Sequence, residues 1–182
     1  MNKPKKPVRK PWSADRLLGI SAVLVSLMTL TVLAYQTRLM REQQRMSVLP
    51  YITVMNHGSG SRFYKLVLTN DGIGPAFIDS VYVKEKDSVY PLDLPQYLYA
   101  RHRAIDSVQG LLTSNIYAGR VVPAQKEIAL LELTGDSLAP YLLMDILSKI
   151  RGEGTTIGLF YQSSFGERWH LEYGAPAPVK VD

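Results

Sequence analysis

The side chains that could do chemistry are few in this sequence, and they are scattered. Histidine stands only at positions 57, 102 and 170. His57 falls among turn formers, His102 lies between Arg101 and Arg103, and His170 follows Trp169 in a strand-like stretch. No two of them have metal-ligand spacing, and no carboxylate stands at an offset that would complete a set. Ser163 and Ser164 precede a turn but lack the Gly-x-Ser-x-Gly elbow and the Ser-x-x-Lys pair, and a chain without cysteine has no Cys–His chemistry. Asp136 and Asp145 are nine residues apart on one expected helix, too far to share a substrate; capping and solvation account for them. The expectation is therefore no catalytic residue, no metal and no cofactor: a non-enzymatic protein.

Binding surfaces are the other class to weigh. Eleven tyrosines and two tryptophans could line a glycan-stacking face, and Tyr97, Tyr99, Arg101 and Arg103 could form a basic aromatic patch. Tyrosine also suits half-buried strands, and packing is the plainer account. In Asn70-x-Gly72-x-Gly74-Pro75 the glycines read as a sharp turn at positive φ, Asn70 as an Asx-turn residue, and Pro75 as the first residue of a strand. A phosphate cradle would need a helix behind it and a Lys-Ser/Thr pair, and β-branched and aromatic residues follow instead. Nucleic acid is excluded on charge. The first 16 residues hold six basic residues against Asp15, which is the whole excess of +5, and the rest is balanced.

Any such surface must be carried by the elements around it, and the first of these is apolar. Leu17–Tyr35 has no charged residue, and at 1.5 Å per residue it makes about 28 Å of helix, enough to cross a bilayer. Its hydroxyls, Ser21, Ser26, Thr29 and Thr31, can bond back to carbonyls one turn earlier. A cleavable signal peptide is the alternative, but its apolar region runs to only about 7–15 residues, and Val32-Leu33-Ala34 is a poor small-x-small site. An uncleaved anchor is expected. Basic residues ahead of the span put the amino terminus in the cytoplasm and the remainder in the periplasm or outside the cell.

Residues 1–16 then form a basic tail, 17–35 the transmembrane helix, 36–49 a juxtamembrane helix, 50–173 the exported domain and 174–182 a flexible tail. Within the domain, strands are expected at Tyr51–Asn56, Phe63–Thr69, Ala76–Val83, Ser88–Tyr90, Asn115–Val122 and Lys126–Leu133, with a final hairpin of Thr156–Tyr161 and Arg168–Tyr173. Asp93 caps one helix, with Leu94, Leu98, Ile105 and Val108 on one side. Gly135-Asp136 starts a second, with Leu138, Leu142, Ile146 and Ile150 spaced by four. The fold class is mainly β, an antiparallel sandwich with helical insertions.

Ser47-Val48-Leu49-Pro50-Tyr51 after a single span, the Asn70–Ala76 turn, and Tyr161-x-Ser163-x-Phe165-Gly166-x-x-Trp169 together resemble uncharacterised bacterial bitopic membrane proteins with an immunoglobulin-like exported domain. The resemblance implies that fold and an inner-membrane location, and carries no functional residues. The functional expectation is a protein-interaction or accessory subunit at the cell envelope, in contact with the lipid bilayer and with a protein partner or a second copy. The alternative is a membrane-anchored glycan or cell-wall binder or hydrolase.

Overall fold

The computed structural model describes residues 13–59, 61, 63–134 and 138–181. It divides into two units, residues 1–44 and 45–182. The first holds all but the last two residues of helix α1, Ala14–Met46, which contains no buried residue and is long and apolar enough to cross a membrane. Ser21, Ser26, Thr29, Thr31 and Thr37 each donate to a carbonyl three or four residues back at 2.8–2.9 Å, so none leaves a polar group unsatisfied in an apolar medium.

The second unit holds ten antiparallel strands and two of the three α-helices among the described residues. One sheet has β1 (Ile52–His57), β2 (Lys65–Asn70), β7 (Glu127–Leu133) and β5 (Leu111–Thr113) in the spatial order β1-β2-β7-β5. In the other, β10 (Val179–Val181), β9 (Arg168–Glu172), β8 (Thr155–Gln162), β3 (Ala76–Glu85) and β4 (Ser88–Tyr90) lie in that order, and the short β6 (Val121–Val122) pairs with the start of β3. Alternating side chains of both sheets meet in one core: Ile52, Leu66 and Leu68 from the first, and Ile78, Leu159 and Tyr161 from the second. Helices α2 (Leu94–Arg101) and α3 (Ala139–Gly152) close it with Leu98, Leu143 and Ile146.

Several expected elements differ. The strand expected over 115–122 shrinks to Val121–Val122, and Leu111–Thr113, whose alternation is too short to signal a strand, pairs with β7. The helix from Asp93 stops at Arg101, and a 3₁₀ turn, Arg103–Ser107, continues to bring Ile105 into the core. Residues 179–181, expected as part of a flexible tail, add β10 to the edge of β9. Helix α3 buries Ala139, Pro140, Leu143, Ile146 and Ile150, so of the residues read by fours Ile146 and Ile150 are in the core, Leu142 packs against it half-buried, and Leu138 is 73% exposed. Gly135 and Asp136 lie outside the described residues.

The Asn70 turn is the most constrained part of the domain. Asn70 is fully buried. Its Nδ2 donates to the carbonyls of Gly74 (2.8 Å), Val122 (3.1 Å) and Pro123 (3.2 Å), and its Oδ1 accepts from the amides of Tyr51 and Gly72 at 3.1 Å. One side chain thus ties the entry segment, the turn and β6 together. Gly72 and Gly74 are not at positive φ, contrary to expectation. They are glycines because the entry segment runs against them: a Cβ at 72 would overlap the Leu49 carbonyl and Tyr51 amide, and one at 74 the Val48 carbonyl.

Replacing Asn70 by leucine should therefore strand several buried backbone groups at about 1–3 kcal/mol each, and Gly74→Ala should push the entry segment off the turn. Urea unfolding of the full chain, followed through Trp169 with Trp12 replaced by Phe, should show losses above about 3 kcal/mol for Asn70→Leu. A loss under about 1 kcal/mol would contradict this role.

Candidate functional site

The chemistry-bearing residues end up on separate parts of the domain. His57 closes β1 and lines a groove along that strand's edge. His102 ends α2 with its ring 5.6 Å from that of Tyr97. His170 lies on the face of β9 opposite the buried Leu171, where it stacks on Phe160 at 4.5 Å and its Nε2 is 2.7 Å from the Tyr82 hydroxyl. No group of three His, Cys, Asp or Glu side chains that could hold a metal ion occurs among the described residues.

Ser163 is buried and braces its hairpin: Oγ accepts from the amides of Phe165 (3.2 Å) and Glu167 (3.3 Å). Ser164 is exposed in that turn. Asp145 pairs with Lys149 on the exposed side of α3 at 2.7 Å. The basic aromatic patch is split. Tyr97 is buried and donates to Glu85 Oε2 (3.0 Å), Arg101 pairs with Glu85 (3.5 Å) and covers Tyr90, and Tyr99 and Arg103 face solvent.

Asp93 is the one buried carboxylate among the described residues. Its Oδ1 caps α2 through the Gln96 amide (2.9 Å), and Oδ2 accepts from the Ile116 amide (2.6 Å), fixing the irregular segment before β6. Burial pushes its carboxyl above the ordinary range, against the opposing pull of those two amides and of Arg120.

What the structure brings together is a cleft at one end of the two sheets, beneath α3. It measures about 410 Å³, within the roughly 300–1,000 Å³ of ligand pockets. Aliphatic side chains of β2, α2, α3 and β8 make its walls, with Leu66, Leu94, Met144, Leu147, Ile150 and Ile157 in contact with the space. Its polar residues are of few kinds. The Arg151 guanidinium lies 5.9 Å over the Tyr173 ring and donates to the Tyr173 hydroxyl at 3.4 Å, and no carboxylate pairs with it among the described residues. Tyr64 stands nearby, 3% exposed. Thr155 Oγ1, beside the Tyr97 hydroxyl, is shut off from solvent and makes no hydrogen bond of good geometry.

Two further spaces adjoin the cleft. Inward, a void of about 30 Å³ shares Leu94, Ile157 and Tyr173 with it and reaches Leu68 and Leu130 between the sheets. Outward, a groove of about 670 Å³ shares Asn56, Arg151, Thr155 and Tyr173 and runs along Val54–His57 of β1. The cleft was invisible to motif reading because its residues come from five elements and the segments between them and share no spacing. No local pattern singles out Arg151, which follows Asp145, Ser148 and Lys149 on the same helix.

No family model, curated protein or solved structure matches the chain.

Tyr64 and Tyr161 give the domain an alkaline signature. Burial pushes both hydroxyls up to about 12 from the ordinary 10.0, helped at Tyr64 by Tyr173 and opposed by Arg151; at Tyr161 the Ile52 amide, donating at 3.4 Å, opposes it. The folded state thus keeps protons that the unfolded chain releases, so stability falls as pH rises from 10 to 12. The double variant Tyr64→Phe, Tyr161→Phe should lose stability less steeply across that window in pH-dependent urea melts; equal slopes would contradict the assignment.

Proposed function

We propose that the chain is a single-span protein of the bacterial inner membrane, with its amino terminus in the cytoplasm and an immunoglobulin-like sandwich on the other side. In this reading the domain is a non-enzymatic interaction module, an accessory subunit that receives an extended segment of a partner protein along β1. The observation that supports it is the open edge of β1. Among the described strands β1 pairs only with β2. The Asp71 amide donates to the Tyr51 carbonyl (2.8 Å), which sets the alternation so that the amides of Ile52, Val54 and Asn56 point away from β2. Ile52 is met by Tyr161, whereas Val54 and Asn56 face the groove. An unpaired edge beside a groove has the form of strand-addition sites.

Reporter fusions at both ends, with a photocrosslinking residue at Met55 in living cells, test this. The expected result is opposite compartments for the two ends and one recurrent adduct, a partner or a second copy. Val54→Pro, which removes an outward amide without touching the β1–β2 ladder, should abolish that adduct. Both ends in one compartment, or an adduct insensitive to Val54→Pro, would overturn the reading.

The ring cluster of Tyr82, Phe160 and His170 favours a second reading, glycan binding, because sugars stack on such faces. It requires retention on peptidoglycan that Phe160→Ala abolishes.

A further inference from the structure

We propose that the cleft beneath α3 is a binding site for a single-chain anionic amphiphile: a linear hydrocarbon tail held among the aliphatic side chains of the cleft and a carboxylate or phosphate head at Arg151. The inference is independent of strand addition along β1 and rests on the aliphatic lining and the polarity of the space.

The lining favours an apolar tail. The opening is walled by Met144, Leu147 and Ile150, and the void on its inner side, which shares Leu94 and Ile157 with it, has room for about one methylene. A flexible chain can adapt to this aliphatic lining, and each CH₂ removed from water favours binding. Met144 adds an adaptable wall, suited to a tail without fixed shape.

Polarity selects the head. Arg151 has no carboxylate partner among the described residues, and its guanidinium is already oriented by Tyr173. A carboxylate or phosphate is the planar or multidentate acceptor that such a group prefers. The Tyr64 hydroxyl has no hydrogen-bond partner among the described residues and stays protonated near neutral pH, so it can donate to an anionic head. Arg151 and Tyr64 share this lining, and the described lining offers no carboxylate, which disfavours a cationic head.

The test uses the full chain in lipid nanodiscs and a photoreactive palmitate analogue with a diazirine in its tail, with adducts mapped by mass spectrometry. Adducts should fall on α3 and β8. Palmitate and lysophosphatidate should both compete, and the one effective at lower concentration tells whether a carboxylate or a phosphate head is preferred. Hexadecyltrimethylammonium should not compete.

Met144→Trp should block the cleft and reduce these adducts roughly tenfold or more, while Met144→Leu keeps them. Arg151 is exposed, so Arg151→Gln should fold normally; it should weaken competition by palmitate about tenfold and leave that of hexadecanol unchanged. Adducts confined to α1, labelling unaffected by Met144→Trp in a folded variant, or equal competition by the cationic amphiphile would overturn the proposal. Labelling lost on Val54→Pro but kept in Met144→Trp would also overturn it, in favour of a peptide occupant. Loss of the β1 crosslink alone would instead bear on strand addition and leave this site standing.

Discussion

The domain depends on a buried amide. Asn70 satisfies five backbone groups with one side chain, and those groups belong to three segments that no regular ladder could join: the residues arriving from α1, the turn after β2, and the chain leaving β6. Its own backbone is bonded too, with its amide to Lys126 and its carbonyl to Gln125. An irregular backbone crossing inside a protein leaves polar groups that water cannot reach. An asparagine meets that demand because it both donates and accepts from a short side chain, which neither aspartate nor leucine does. Gly72 and Gly74 then follow from sterics, since the entry segment lies where their side chains would be.

From this crossing the two sheets diverge in character. Near Asn70 the edge of β1 is held by the Tyr161 hydroxyl, and the sheets close on large side chains. Toward the other ends of β1 and β2 the edge is released, α3 replaces direct sheet contact, and the cleft and groove open. Rigid closure at one end and open space at the other are consequences of the same packing. A helix laid across the open end cannot interdigitate with both sheets as closely as they do with each other.

Much of this was legible in the residues. The apolar run needs no partner to be recognised, because lack of charge over a bilayer's length is a local property. β-branched and apolar stretches between turn formers placed β2, β3, β7 and the final hairpin within a residue or two. Asn70 with Gly72 already marked a turn, and the Asx bond to the Gly72 amide is there. The reading failed where a contact distant in sequence decides. Leu111–Thr113 and Val179–Val181 are three-residue strands that exist only because β7 and β9 offer them an edge. On α3, Ile146 and Ile150 face the core as expected, Leu142 packs against it only half-buried, and the fully buried Leu143 was missed.

What the sequence determined by itself, then, is the apolar span, the strand-forming stretches, the turn chemistry around Asn70 and the scatter of histidines and serines. These are written in spacing along the chain, and local sterics and hydrophobicity suffice to read them. Only the tertiary structure decided that Gly72 and Gly74 are there for clearance, that β1 is an edge, and that Tyr64, Arg151, Thr155 and Tyr173 surround one cleft. Side chains brought together from up to about 110 residues apart share no periodicity; their proximity arises when two sheets and a helix bury a common core.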